Sequence, residues 1–117
     1  MSDNDFLDLV LLQGYLDNIG SDVVSKMLDL YIQQSKIYLE DIGQASLGNS
    51  QAVWHDACHK MKGAAGSVGL REVHAKLVAI ENLTETSTIK QEEVITLDKL
   101  NQVAIERFQM WIKKSND

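Results

Sequence analysis

The chain has 117 residues and a formal net charge of −6, from 11 Lys and Arg against 17 Asp and Glu. This negative charge argues against nucleic acid or an anionic membrane surface as a partner, and no apolar run approaches the roughly 20 residues of a membrane span. The single cysteine cannot form an internal disulfide, and the acidic N-terminus lacks the basic start of a signal peptide. We therefore expect a cytoplasmic protein that forms one domain over residues 1–117.

The first half of the chain predicts two helices. Apolar residues recur at intervals of three and four over residues 5–19, which indicates a first, short helix. Gly20 is predicted to end it in the left-handed conformation, and Ser21 to cap the next helix. A wide apolar stripe then runs over residues 22–47, as is typical of a helix in a bundle.

The second half predicts three more helices. Ser50 is the expected N-cap of a helix over residues 51–68, which Gly69 ends. A fourth helix is predicted over residues 70–83 and a last helix over residues 91–114, with a polar, β-branched loop at 84–88. Four long helices with short connections predict an all-α fold: an antiparallel up-down four-helix bundle with a short additional N-terminal helix.

The helix predicted over residues 51–68 has two contrasting faces. Its apolar residues fall within an arc about 80° wide, so the predicted buried stripe consists of Val53, Ala57, Met61, Ala64 and Val68. His59 lies on the opposite, exposed side, with Gly63 and Gly66 beside it. Each glycine costs about 0.5–1 kcal/mol relative to alanine inside a helix. The bare backbone leaves room for another molecule to approach the imidazole, although a surface histidine on an amphipathic helix is the simpler alternative.

Residues 59–63 read His-Lys-Met-Lys-Gly and are followed by Val68 and Gly69. This pattern resembles the His-x-x-Lys-Gly signature of histidine-containing phosphotransfer (HPt) domains. Residues 62–71 are especially similar to the C-terminal phosphotransfer domain of the Arc-type anoxic redox sensor kinases. The resemblance implies a phosphorelay carrier without kinase activity of its own. Its partners would be the receiver domains of hybrid sensor kinases and of response regulators. It would need no cofactor, because magnesium is bound by the receiver.

The resemblance also implies roles for single residues. Neutral imidazole is a good nucleophile near neutral pH, and His59 would accept a phosphoryl group from a receiver aspartate and donate it to another receiver. We hypothesise that Lys62, one turn further on, screens the charge of that group. The implied docking surface includes His55, Lys60, Gly63 and Gly66. Arc-type relatives often carry glutamines on the fourth helix, but this chain has Glu81 there, to which no role is assigned.

Other interpretations stay open at this point. A helical adaptor that only docks partners would show the same bundle pattern without needing His59. A metal site is a further alternative, because His55, Cys58 and His59 lie at positions i, i+3 and i+4. The chain begins with Met1 and shows no linker, so a free-standing carrier is expected, with an excised domain as the alternative. The resemblance implies that the carrier is a monomer.

Overall fold

Six α-helices make up the computed structural model, which describes residues 3–116. They are α1 (Asp3–Phe6), α2 (Leu9–Ile19), α3 (Ser21–Leu47), α4 (Gln51–Ser67), α5 (Arg71–Ile80) and α6 (Ser87–Ser115). Helix α3 packs against α4 and α6, and α5 packs against the same two helices, so the four close into a bundle. The predicted all-α four-helix bundle with additional N-terminal helical structure is confirmed.

The core of the bundle is formed by the apolar stripes that the sequence shows at helical spacing. Side chains from α2, α3, α4, α5 and α6 meet in one cluster. Its largest fully buried members are Trp54, Phe108, Leu7, Leu12, Ile42 and Met61. Removing such side chains from water stabilises the fold by about 25 cal/mol for each Å² of apolar surface.

The first predicted helix is broken in the structure at Leu7 and Asp8. The Asp8 carboxylate caps α2 by accepting the backbone N–H of Leu11, at 3.2 Å. The Asp8 backbone N–H donates to the carbonyl of Gly69 at 2.8 Å, and Leu7 forms an isolated antiparallel bridge with Leu70. The backbone groups that a continuous helix would pair locally are therefore paired with the turn between α4 and α5.

Of the two predicted N-caps, the structure confirms Ser50 but not Ser21. Gly20 has a positive φ of 84°, as predicted, but its ψ of 163° makes it extended rather than left-handed helical. The prediction that Ser21 caps α3 is wrong: Gly20 is the cap residue and Ser21 is the first helical residue. Ser50 does cap α4, since its side chain accepts the N–H of Val53 at 3.2 Å.

The connection between the last two helices is placed differently from the prediction. Helix α5 ends at Ile80, earlier than predicted, and α6 begins at Ser87, within the predicted loop. The Thr86 side chain accepts the N–H of Ile89 at 3.4 Å and so caps α6. A good N-cap outweighs the weak helix propensity of the threonine and serine residues that follow it.

Buried hydrogen bonds fix the helices relative to one another. The Trp54 indole N–H donates to the carbonyl of Ile80 at 2.8 Å, which joins α4 to the end of α5. The Tyr31 hydroxyl donates to Asn101 Oδ1 at 2.7 Å, and Asn101 Nδ2 donates to Ser35 Oγ at 3.2 Å, which joins α3 to α6. Among the helices within residues 3–116, none combines the length and apolar character needed to cross a membrane.

Candidate functional site

Helix α4 presents His59 to solvent. The His59 side chain is 61% exposed, and Lys60 beside it is also exposed. The opposite side of the helix is buried, and Met61 and Val68 of the predicted stripe lie in the core, but the rest of the buried face is displaced by one residue. Its buried side chains are Trp54, Cys58, Met61 and Ala65, whereas Val53 is exposed. The stripe is displaced because α4 packs against both α3 and α5, and the large Trp54 side chain is buried toward α5.

Lys62 forms an ion pair with Glu81, the residue that ends α5. The Lys62 ammonium lies 3.0 Å from Glu81 Oε1 and 2.8 Å from Oε2. Glu81 is only 7% exposed. The hydrogen bond from Lys62 is the main reason that the pKa of this carboxyl group is lowered, against the opposing effect of burial. Lys62 is therefore held at the edge of the site rather than free in solvent.

Glu81 also faces the imidazole of His59. Glu81 Oε1 lies 3.9 Å from His59 Nδ1. This separation is too long for a hydrogen bond but close enough for a charge to act on the ring. The sequence alone does not predict this contact, because it depends on where α5 ends beside α4.

His55 extends the site by one turn toward the start of α4. The His55 and His59 rings stack, with centroids 5.7 Å apart and planes 16° from parallel. His55 Nδ1 lies 3.0 Å from Asn82 Oδ1, which can accept a hydrogen bond from an N–H at this nitrogen. His55 is half-buried and borders the exposed histidine.

The two glycines predicted beside His59 have different surroundings. A Cβ atom added at Gly63 would meet no atom within 4 Å, so its backbone faces open space. A Cβ atom at Gly66 would lie 3.0 Å from Cδ2 of His74 on α5. The packing of α4 against His74 therefore explains Gly66. Only Gly63 matches the expectation of bare backbone kept clear on the exposed face.

The metal set proposed from spacing does not assemble. Cys58 is fully buried in the core, where burial chiefly raises the pKa of its thiol to about 12. In its place, Glu81 offers a carboxylate oxygen near the two histidines, with one nitrogen or oxygen atom from each of His55, His59 and Glu81 within 4.8 Å of the others. The Lys62 ammonium already neutralises both oxygens of that carboxylate, and it would compete with a cation there.

A groove opens beside the exposed face of α4. It has a volume of about 570 Å³ and lies between α2, α3 and α4. Lys60 and Gly63 of α4 form one side, and the other side is largely apolar, including Tyr15, Met27, Leu30 and Tyr38. Leu30, which lines this groove, is 55% exposed.

Comparison with known proteins places this geometry in a family. The Hpt domain family matches residues 26–109, well over half of the chain. The structure is similar to that of the histidine-containing phosphotransfer domain of ArcB from Escherichia coli, with a TM-score of 0.85 and 23% sequence identity. That similarity covers 97% of this chain and 98% of the ArcB domain. A comparison with the curated proteins gives no significant match. The chain therefore belongs to the Hpt domain family, the phosphotransfer modules of phosphorelays.

Proposed function

We propose that this protein is a histidine phosphocarrier that uses His59 as its phosphorylation site. The observation that carries the proposal is the exposure of His59 on α4 of an Hpt-family bundle, with Lys62 and the bare backbone of Gly63 beside it. The donor would be the phosphorylated aspartate of one receiver domain, and the acceptor the aspartate of another. Magnesium is expected on the receiver.

The transfer itself balances without any further reactant. A lone pair on a ring nitrogen of His59 forms an N–P bond while the bond from phosphorus to the aspartyl oxygen breaks. The aspartate keeps the electron pair and leaves as a carboxylate. Donation reverses these events, with an acceptor carboxylate forming the new P–O bond. This exchange needs an exposed histidine, because the reacting aspartate belongs to another protein.

Lys62 is proposed to screen the charge of the phosphoryl group. It lies one helical turn from His59, about 5–6 Å away by backbone spacing. Its side chain is 21% exposed, and its ammonium group is paired with Glu81 before transfer. When a dianionic group arrives on His59, Lys62 can lie between that group and the Glu81 carboxylate and so reduce their repulsion.

The docking surface is proposed to be the exposed face of α4 together with the adjoining groove. Lys60 and Gly63 are its most accessible members, whereas His55 and Gly66 lie at its border. A docked receiver domain would cover the exposed Leu30 and the other apolar side chains of the groove. We further infer that residues 1–117 act as one domain, that the carrier is monomeric, and that it works in the cytoplasm, where such receivers are found.

The test is transfer of radiolabelled phosphate from a phosphorylated receiver. Wild type is compared with His59→Gln and with His74→Gln. The second variant is the control, because it removes a histidine of α5 that lies beside Gly66 of α4, the helix that carries His59. We expect acid-labile label on the wild type and on His74→Gln, and none on His59→Gln. Label that persists on His59→Gln would place the phosphorylation site elsewhere.

One observation favours a second candidate, an adaptor that docks receivers without being phosphorylated. The Glu81 carboxylate, 3.9 Å from the His59 ring, would repel a phosphoryl group placed near it. If several phosphorylated receivers bind the wild type but transfer no label to it, the adaptor function is the correct one.

A further inference from the structure

We propose that His55 is a second contact for the phosphoryl group on His59, to which its Nε2 donates a hydrogen bond when the His55 ring is protonated. The inference rests on the proposed function and deepens it. It gives a chemical task to the residue one helical turn before the proposed phosphorylation site. It also makes the balance between phosphohistidine and phosphoaspartate depend on pH.

The two histidine rings occupy successive turns of α4 and face one another. Their centroids are 5.7 Å apart, and their planes are 16° from parallel. A ring nitrogen of His55 lies within 4.8 Å of a ring nitrogen of His59. Because the N–P and P–O bonds extend the phosphoryl oxygens beyond the ring that carries them, a phosphoryl group on His59 lies within reach of His55.

Both rings turn the same edge toward the end of α5. His55 Nδ1 lies 3.0 Å from Asn82 Oδ1. His59 Nδ1 lies 3.9 Å from Oε1 of Glu81, the residue directly before Asn82. The two nitrogens of an imidazole point in divergent directions, and these two rings are nearly parallel. The Nε2 atoms of both rings are therefore directed away from α5, on the same side of α4.

The contact with Asn82 determines which nitrogen of His55 takes up a proton. An amide oxygen only accepts hydrogen bonds, so Nδ1 carries the hydrogen of the neutral ring and Nε2 carries a lone pair. That lone pair would repel a phosphoryl oxygen. Once Nε2 is protonated it becomes a donor, and the positive charge of the ring attracts the dianion. Contact with the phosphoryl group thus requires the protonated ring.

The turn that holds Asn82 is fixed to α4 on both sides. The carbonyl of Ile80 accepts the indole N–H of Trp54 at 2.8 Å. The carbonyl of Leu83 accepts a hydrogen bond from the side-chain amide of Gln51 at 3.0 Å. Because Asn82 lies between these two anchored residues, the acceptor of the imidazole N–H is held in place.

The charged and titratable groups around His55 come from three helices. His59 of α4 stacks on it, and Glu81 at the end of α5 forms an ion pair with Lys62, in which the two charges offset each other. Helix α6 contributes Lys90, whose ammonium donates to a glutamine of α4 and lies over an indole ring. The His59 ring itself titrates near neutral pH, as histidines do, so its effect is removed by comparing variants that share it.

The proposed contact links phosphoryl transfer to a proton. When the phosphoryl group moves from aspartate to His59, His55 takes up a proton from water and its Nε2–H donates to a phosphoryl oxygen. When the group leaves for an acceptor carboxylate, His55 returns the proton to water. The phosphorylated form therefore binds more protons than the unphosphorylated form, so a lower pH favours the phosphohistidine.

The test separates charge from titration at position 55. His55→Gln removes the charge, His55→Lys keeps a charge that does not titrate near neutral pH, and His74→Gln removes a histidine of α5 as the control. Each protein is brought to equilibrium with the same labelled receiver from about pH 6 to about pH 9. At about pH 6 we expect wild type and His74→Gln to favour the phosphohistidine about tenfold more than His55→Gln. This advantage should vanish near pH 9 in wild type and persist in His55→Lys.

An equilibrium measurement distinguishes the contact from a role in docking. Between free proteins, the ratio of phosphorylated forms depends on the stability of the phosphohistidine and not on the affinity of the transient complex. A His55→Gln protein that transfers more slowly but reaches the wild-type ratio at every pH would mean that His55 serves docking alone. That result would overturn the inference.

Nitrogen-15 NMR observes the His55 ring directly. The protein is phosphorylated with phosphoramidate, a small donor that requires no receiver, and His59→Gln is treated in the same way as a control. We expect His55 to stay protonated to a higher pH once His59 carries the phosphoryl group, and to titrate unchanged in His59→Gln. An identical titration with and without the phosphoryl group overturns the inference. Failure of phosphorylated receivers to label wild type would instead overturn the proposed function, while this measurement still decides the role of His55.

Discussion

Glu81 links the stability of the fold to the chemistry of the site. Its carboxylate is buried between α4 and α5. It stays charged because the Lys62 ammonium lies close to both of its oxygens. Pairs of this kind stabilise a protein only while both partners are ionised. The pH dependence of unfolding therefore reports directly on this residue.

Our first prediction concerns acid. The pKa of Glu81 is lower in the folded protein than its ordinary value, chiefly through the hydrogen bond from Lys62. Its contribution to stability is thus present above the ordinary titration range of a glutamate and is lost as the pH falls through the folded value. Urea unfolding should give a difference in free energy between wild type and Glu81→Gln that is largest near neutral pH and shrinks in acid. A difference independent of pH would contradict the ion pair's role.

Cys58 supports a second prediction at this scale. The thiol is fully buried, and its pKa is raised to about 12, mainly by burial. Reaction with iodoacetamide requires an accessible thiolate. We therefore expect mass spectrometry to find no alkylation of the native protein near pH 8 and complete alkylation in urea. Rapid alkylation under native conditions would show that Cys58 is accessible and would reopen its role as a ligand.

At the scale of a helix, α4 contains two glycines that the structure distinguishes. Gly63 faces open space, whereas a Cβ atom added at Gly66 would lie 3.0 Å from the ring of His74 on α5. The two residues are on one helix and three positions apart, so their intrinsic helix propensities are the same. Only their surroundings differ.

Alanine substitutions of these glycines form a matched pair. Gly63→Ala should raise the free energy of unfolding by about 0.5–1 kcal/mol, because alanine favours the helix and nothing obstructs its methyl group. Gly66→Ala should give less than this or lower the stability, because the methyl group would lie 3.0 Å from His74 and displace it. Thermal unfolding followed by circular dichroism measures both. A Gly63→Ala protein that is more stable but binds receivers less tightly would confirm that the bare backbone serves docking; equal stability of the two variants would contradict the difference in packing.

Some apolar faces and caps could be predicted, although the cap of α3 and part of the apolar face of α4 could not. The stripe of α3 and the cap at Ser50 are local features, so their residues can be read from spacing and residue type. The break at Asp8 is different, because it depends on the carbonyl of Gly69, far along the chain. The contact between Glu81 and His59 depends likewise on how far α5 runs before it ends. Neither partner is visible from the local sequence, so the exposed position of His59 could be predicted but the carboxylate beside it could not.

At the scale of the whole molecule, α3 and α6 are the longest helices and lie side by side. A buried polar chain joins them: Tyr31 donates to Asn101, and Asn101 donates to Ser35. Apolar stripes alone allow long helices to slide past one another, whereas a buried hydrogen bond is satisfied in one register only. We infer that this chain fixes the register of the bundle.

Replacing Tyr31 by phenylalanine tests this role. The change leaves Asn101 Oδ1 buried without its donor, and should lower the free energy of unfolding by about 1–3 kcal/mol. Tyr38→Phe is the matched control, since Tyr38 also lies on α3 but is half-buried, and its hydroxyl makes no hydrogen bond to the described residues. Urea unfolding should show little change for the control. Equal losses for both variants would mean that the Asn101 hydrogen bond adds nothing specific.

The hydrogen bond between Trp54 and Ile80 has an optical consequence. The indole is completely buried, and the carbonyl that it binds belongs to the residue directly before Glu81. The emission of this indole is therefore sensitive to the electric field and solvent at the junction where His59 of α4 faces the Glu81 carboxylate. Because Trp111, the other tryptophan, is half-buried on α6, a Trp111→Phe protein would contain a single fluorophore at that junction. Such a protein would allow the proposed phosphoryl transfer to be followed in real time by intrinsic fluorescence, without an added dye.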